Sequence, residues 1–449
     1  MQTASDRSSI PGGYAGNTGA LTVRDLFAAS LVAADPSAFT ARAVRLRLPA
    51  NGTQARPTWI IALGKAAQTM ARSAVQELVQ RHETIAGGLV VAPTAGAVPH
   101  PALVSVAGDH PLPSERSLQA ARALADLCDA VPRADRVLVL LSGGASSLVA
   151  APVEGIEAGD LRTLCEILLH SGLDIGRVNA VRKRFLRWGA GRLAVQLAPA
   201  RLELIVLSDV IGDNLAHIAS GPCVPDGKSA VEVRRLLDET DLINLVPQPL
   251  VRYLDEVMRG ERPETPKSDS PAFRSVGVPA VQGNGGVLNA GALRARALGF
   301  DPVVIVDAPV RGEAARAGSH IATAALALPR GAVTLWGGET TVTMGPCKAA
   351  GGRCQEMMLA AAIALANAGS SANGITLLAA GTDGRDGPTD AAGAIVDAGS
   401  ASRMIDAGIL PVSALQRHES YRALELSGCL LKTGLTGTNV GDVVIAMRA

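Results

Sequence analysis

Short apolar runs that stop abruptly at Gly, Ser, Lys or Asp, each followed by an amphipathic stretch, recur along most of this chain. Apolar runs of five to seven residues suit strands buried on both faces, and the stretches between them carry helical spacing. In the first half the runs are Thr58–Leu63, 87–91, Arg136–Leu141 and 202–208, with helical stretches at 22–35, 66–80, 117–130, 161–170 and 177–197. In the second half candidate strands fall at 278–282, 302–306, 332–336, 376–380 and 443–446. Candidate helices there fall at 287–298, 313–328, 355–368 and 400–407. Repeated strand–loop–helix units imply mainly parallel sheets covered by helices. The fold expected is therefore α/β, as two α/β domains with the active site in the cleft between them.

The boundaries follow from composition. The polar segment 1–20 lacks an apolar signal core and reads as a disordered leader. Residues 21–258 form an N-terminal Rossmann-like domain. The Pro-rich segment RGERPETPKSDSP, 259–271, reads as a linker, and 272–449 as a C-terminal α/β domain. At 449 residues, two domains fit the usual domain size. Apolar residues at 48% and charged ones at 18% exclude a disordered chain. A formal charge of +1 and 2% aromatics leave neither a basic surplus for phosphate backbones nor a stacking platform, which argues against a nucleic-acid partner. No run of about 18 apolar residues suggests a membrane span. Six cysteines without a CxxC spacing fit a cytoplasmic protein.

The loops after the apolar runs carry the chemistry. In open α/β sheets the ligand lies beyond the carboxyl ends of the strands. Gly64-Lys65 follows one run directly, where a cation beside a helix start can meet an anion. Ser142, Gly143, Gly144, Ala145, Ser146 and Ser147 follow another, and such a loop exposes backbone N–H groups and hydroxyls to phosphate or carboxylate. His110, between Asp109 and Pro111, reads as a rigid turn residue or a catalytic imidazole. Asp209 and Asp213 end a third run, where they can hold Mg²⁺ or accept a hydroxyl proton, or cap a turn. Asp383 and Asp386 lie in a Gly-rich loop and are candidate metal ligands. Asn284, between glycines, and Glu339, in a turn, are candidate ligand contacts. Arg353 follows two glycines at a helix start, a place unfavourable for a cation unless an anion or Glu356 faces it. The usual nucleotide signatures fail. Pro222 breaks a Walker A match ending at Gly227-Lys228-Ser229, and Gly189-Ala190-Gly191 follows a basic stretch rather than a strand.

Taken together, LGKAA, GDHPLPSERS, LSGGASSL, LSDVIGDNLAHIASGPCVPD, GGETTVT, GGRCQE, GTDGRDGPTDAAGAIVD and TGLTGTNVGD resemble, in that order, the glycerate 2-kinase family with a MOFRL C-terminal domain. Its members have often been labelled hydroxypyruvate reductases. The resemblance runs from about residue 21 to the C-terminus. It implies transfer of a phosphoryl group from ATP, with Mg²⁺, to the 2-hydroxyl of D-glycerate, giving 2-phosphoglycerate. The family's functional Lys and Arg match Lys65 and Arg353. On that basis Lys65, Arg353 and Asp209 are expected to be catalytic. Ser142, Gly143, Gly144, Ser146, Ser147, Arg182, Asn284 and Glu339 are expected to bind substrate or phosphate, and Asp213, Asp383 and Asp386 to hold metal. A homodimer is a candidate assembly. The chain departs from the family pattern at Leu186 (usually Ser), Gly189 (Lys), Ala190 (Gly), Cys354 (Asn), Leu435 (Pro) and Gly441 (Asn), and His418-Glu419 replaces Asn-Asp. Those changes keep open another 2-hydroxy acid or sugar acid as acceptor, with hydroxypyruvate reduction as a further alternative.

Overall fold

The computed structural model describes residues 18–48, 56–344 and 349–449. Residues 1–17 of the expected leader and Cys347 lie outside the described residues. The chain divides into two compact units, one of residues 36–281, the other of the N-terminal residues through Asp35 joined to 282–449.

The 36–281 unit is built on strands β1 (Thr58–Leu63), β2 (Ile85–Ala92), β3 (Leu103–Ala107), β4 (Arg136–Leu141), β5 (Arg201–Leu207) and β6 (Ala280–Gln282), the last at its boundary. They form one sheet in the order β3-β2-β1-β4-β5-β6. The registers from β3 through β5 are parallel. Ile60 to Leu63 and Val137 to Leu141 are buried without alternation, as strands covered on both faces must be. Ile61, Leu63, Val137, Val139 and Leu141 feed one core cluster. The helix Glu115–Ala130 starts at a capping box in which Ser114 accepts from the Arg116 N–H and Ser117 answers the Ser114 N–H.

The second unit carries β7 (Val303–Val310), β8 (Ala332–Gly338), β9 (Ile375–Gly381), β10 (Gly393–Asp397), β11 (Leu430–Leu431) and β12 (Asp442–Arg448), in the order β11-β10-β9-β12-β8-β7. Only β7 and β8 run parallel; β12 lies antiparallel between β8 and β9, and β10 is antiparallel to β9. This sheet is mixed, so the expectation of parallel sheets holds for the first unit alone. The reason is connectivity. No helix crosses over between β9 and β10, so the chain returns beside itself. An apolar run does not encode its direction.

Two boundaries differ from the sequence reading. The helix Thr18–Ala33 starts before residue 21 and packs on the helix Asn284–Ala297, on β9 and on β12, so it belongs with the C-terminal half. The match is steric: a Cβ on Gly291 would come 2.6 Å from the Ser30 hydroxyl. Segment 259–271 is not a free linker. Arg184, 1% exposed, is bonded by Glu264, and Lys183 pairs with Asp226 at 2.6 Å. Thr265 Oγ1 donates to Asp226 at 2.9 Å, and the Ala230 N–H donates to Glu264 at 2.8 Å. Buried cations need partners, and this polar segment supplies one to Arg184 and buttresses the Asp226 that pairs with Lys183. The basic stretch 177–197 is accordingly not one helix. It breaks into Ile175–Arg182, a short turn and Arg192–Leu197, with Ala190 at φ +53° and Gly191 at φ +82° between them.

Candidate active site

In the 36–281 unit the strand order reverses between β1 and β4, and there the loops leaving adjacent strands diverge to open a crevice. Gly64-Lys65 leaves β1 and Ser142–Ser147 leaves β4 at this point. The two loops are stitched together. The Lys65 N–H donates to the Gly143 carbonyl at 2.9 Å, and the Ser142 N–H to the Leu63 carbonyl at 2.9 Å. Ser142 Oγ accepts from the Ala66 N–H at 3.0 Å. Ser142 therefore fixes the Lys65 turn from a buried position rather than facing a ligand, and Ser147 is buried as well. Of the three serines, Ser146 is the half-buried one.

The glycines of this loop make room for charged side chains. A Cβ on Gly143 would lie 2.1 Å from Asp209 Oδ2. Gly144, at φ +85°, would put one 2.9 Å from His110 Cδ2 and 3.4 Å from Lys65 Cε. Lys65, His110 and Asp209 thus close around the bend at Gly143-Gly144. Lys65 is exposed, and among the described residues it has no salt-bridge partner. Burial pushes the Asp209 carboxyl above its ordinary range, opposed by its own backbone N–H and by Lys65. Burial, then Lys65 and Arg182, hold His110 below its ordinary value, so its imidazole is neutral at pH 7. Arg182 donates to Asn179 Oδ1 at 2.7 Å, while its Nε is buried without a hydrogen bond. Asp213 sits at φ +51° with Oδ1 buried and unbonded.

The second unit gathers a different set around the helix Arg353–Asn367. Arg353 is gripped bidentately by Asp442, Nε to Oδ2 at 2.6 Å and Nη2 to Oδ1 at 2.8 Å, and its Nη1 lies 3.1 Å from Glu339. Asp442 raises the guanidinium pKa above its ordinary value, against the effect of burial. The buried Cys354 thiol is pushed well up by burial and by the neighbouring Asp442 and Asp386. Asp383 is half-buried, with Oδ1 accepting from the Arg385 N–H at 3.0 Å.

Two expected roles are corrected here. Asp386 does not look outward for a metal. It is 3% exposed, and its two oxygens accept from the Cys354 N–H at 3.1 Å and the Gln355 N–H at 2.8 Å. It caps from afar the helix that begins at Arg353, satisfying donors the helix leaves open. Asn284 is not poised for a ligand either. Its Nδ2 donates to the carbonyls of Val440 at 3.0 Å and Asp442 at 2.9 Å, holding the entrance of β12. Sequence reasoning missed Asp442, although it ends a quoted motif at the first residue of β12. It also undervalued His110, whose weight comes only from Lys65 and Gly144 folding against it.

The family described as "Domain of unknown function (DUF4147)" matches residues 22–255, and the MOFRL family matches 332–442. A glycerate 2-kinase of Pyrococcus horikoshii is 35% identical over 396 residues, 87% of each chain. A D-glycerate 2-kinase of Thermotoga maritima is 36% identical over 396 residues, 86% of this chain and 90% of that one. The crystal structure of a glycerate kinase from Thermotoga maritima superposes with a TM-score of 0.82 at 34% identity, covering 96% of this chain and 99% of that chain. The chain belongs to the glycerate 2-kinase family with a MOFRL domain.

Its departures from the family pattern now have places. Leu186 is packed in an apolar core, and Ala190 is buried at positive φ. Of the nearby cations, Arg192 donates to the carbonyls of Lys183, Leu186 and Arg184, Lys183 and Arg184 are ion-paired, and Arg187 lies over the Trp188 ring. Arg182 has no ion-pair partner among the described residues and donates to Asn179 Oδ1 at 2.7 Å. Cys354 is buried, Leu435 exposed, and Gly441 at φ +87°. His418 Nδ1 lies in hydrogen-bonding contact, 2.8 Å, with Oε2 of Glu356, which stands on the same helix start as Arg353.

The Mg²⁺ that the resemblance implies is tested by free oxygens. Asp213 Oδ1, buried and unbonded, fits a hard cation or a hydroxyl donor. Asp383 Oδ2 has no hydrogen bond among the described residues, whereas both oxygens of the buried Asp386 are engaged by backbone N–H groups. Among the described residues no three acidic, His or Cys side chains cluster as a ready metal cage. Mg²⁺ typically needs only one or two carboxylates beside phosphates and waters.

Proposed function

We propose that this chain is an ATP-dependent glycerate 2-kinase, transferring the γ-phosphoryl group of ATP to the 2-hydroxyl of D-glycerate to give 2-phosphoglycerate and ADP. The observation that carries this reading is Lys65. It is a cation with no salt-bridge partner among the described residues, at the strand-order reversal of a doubly wound sheet, beside a Gly/Ser loop and a carboxylate with a raised pKa. Phosphoryl transfer is mostly positioning and neutralisation of charge, and these groups supply both.

Lys65 meets the negative charge of the transferring group or of the acid's carboxylate. Ser146 and the N–H groups of the 142–147 loop hold an anion. Asp209 accepts the hydroxyl proton, its raised pKa bringing it nearer the strength a general base needs at neutral pH. Arg353, locked by Asp442 and Glu339, presents its guanidinium in a fixed orientation. Asp213 or Asp383 would hold Mg²⁺, which when bound supplies further neutralisation of the phosphate charge. The free thiols of Cys128, Cys165, Cys223 and Cys354 fit a cytoplasmic location. No helix among the described residues is long and apolar enough to cross a membrane.

A second reading, another 2-hydroxy acid or sugar acid as acceptor, is favoured by one feature. Leu186 and Gly189, two positions that depart from the family, line a small cavity together with Ser146. Incubation with ATP, Mg²⁺ and a panel of such acids decides between the two. Product identified as 2-phosphoglycerate, lost with EDTA, supports the first reading. Turnover confined to a different acid supports the second. Oxidation of NADH with hydroxypyruvate would overturn both.

A further inference from the structure

Ser220 is held in a conformation that its own chemistry disfavours. Ala219, Ser220 and Gly221 are consecutive left-handed residues, at φ +52°, +62° and +62°. Glycine adopts this region freely; residues with a Cβ do so only where the surroundings impose it. Here a backbone joint imposes it. The Ala190 N–H donates to the Ser220 carbonyl at 2.8 Å, and the Gly191 N–H to the Gly221 carbonyl at 2.7 Å. Ala190 and Gly191 are themselves left-handed.

The joint aims one side chain. Ser220 is 0% exposed, and its hydroxyl lies 2.8 Å from that of Ser146, its one hydrogen-bond partner among the described side chains. A buried hydroxyl whose hydrogen goes unused is costly, so Ser220 is the donor and Ser146 the acceptor. That direction leaves the Ser146 hydrogen free. Ser146 lies two residues beyond the Gly143-Gly144 bend and is only half-buried, so its hydrogen is available to an arriving anion.

We propose that Ser220 is a positioning residue of the kinase site: its buried hydroxyl, fixed by the left-handed Ala219–Gly221 turn, orients Ser146 as a donor to an anionic group of the substrates. The inference rests on the kinase reading given above. The anion is a phosphate of ATP or the carboxylate of the acid, and the two sources separate in the experiment.

The test compares wild type, Ser220→Gly, Ser220→Ala, Ser146→Ala and the double variant Ser146→Ala/Ser220→Gly. Each is measured for kcat, for KM of ATP and of D-glycerate, for binding of each ligand by calorimetry, and for Tm. Ser220→Gly relaxes the backbone and removes the hydroxyl, so Tm holds or rises while kcat/KM falls about 5- to 10-fold. A merely structural serine does not part those two readouts. The loss appears in the KM of ATP if the anion is phosphate, or of D-glycerate if it is carboxylate. Ser220→Ala keeps the Cβ and loses the same factor, and it carries the comparison if the glycine variant folds poorly. The double variant loses no more than Ser146→Ala alone, because Ser220 acts through Ser146. Wild-type kinetics in both Ser220 variants, or losses that multiply in the double variant, would overturn the proposal. Wild type inactive on D-glycerate overturns that acid as the acceptor instead, and the same non-additivity is then read from ATP binding and from turnover on the acid that replaces it.

Discussion

Lys65 and Arg353 are the two cations that the family resemblance marks as functional, and the two units treat them in opposite ways. Lys65 stands on a loop whose backbone is pinned at 2.9 Å to Gly143, yet its ammonium pairs with no described carboxylate. Arg353 is pinned at the side chain, by two bonds to Asp442 and a third contact to Glu339. A flexible point charge can follow a group that changes position and charge during reaction. A planar fork held on one edge can only present the other edge. One unit thus offers a charge free to move, the other a charge already oriented.

The largest expected effect is at the unpaired cation. Lys65→Ala lowers kcat by about 100-fold or more while Tm stays unchanged, since no described ion pair is lost. A large drop in Tm would break the comparison by showing Lys65 to be structural. Next is the pinned cation. Asp442→Asn removes the charge that holds Arg353, and kcat/KM falls about 10- to 100-fold together with a lower Tm, because the pair is partly buried. Equal Tm in wild type and Asp442→Asn would show that Arg353 needs no clamp.

A pH profile sharpens the contrast between carboxylates. Asp209 must be ionised to accept a proton, and its pKa is raised. As pH falls, kcat/KM therefore declines at a higher pH than an ordinary aspartate would give. Asp209→Asn abolishes most activity, and a profile flat down to pH 4 in wild type would remove Asp209 as the base. The smallest catalytic effect belongs to Asp386. Asp386→Ala leaves the Mg²⁺ dependence of activity unchanged but costs about 1–2 kcal/mol of stability as a lost helix cap, read by denaturant unfolding. Burial lifts this carboxyl to about 6, so the folded state binds its proton more tightly than the unfolded chain does. Its contribution grows as pH falls through 6, and the gap between wild type and variant widens from pH 8 to pH 5. A tenfold higher Mg²⁺ requirement in Asp386→Ala would restore it as a metal ligand.

The sequence was most legible where one local pattern implies one local structure. Lys65 after β1, the 142–147 loop after β4 and Asp209 after β5 were all found because a buried strand ends visibly in small or charged residues. It was least legible where a side chain's partner is remote. Nothing near Asp386 signals that its oxygens meet the N–H groups of Cys354 and Gln355, some thirty residues earlier. Nothing near Asn284 signals that it ties down Val440 and Asp442. The polar segment 259–271 looks like a linker until the buried Arg184 is seen to need its Glu264, and Asp226, the partner of Lys183, to accept from its Thr265.

By itself, then, the sequence determined the buried central strands, though not β3, β10 or β11, the loops that follow them and which family the motifs resemble, because periodicity and loop chemistry are local properties of the chain. The tertiary structure decided the direction of the strands around β12, the place of the Thr18–Ala33 helix and the use of Asp386 as a helix cap and of Asp442 as a clamp on Arg353. Those outcomes depend on which distant groups arrive within hydrogen-bonding reach of each other. A carboxylate is a metal ligand or a helix cap according to what faces it, and that is fixed only when the chain has folded.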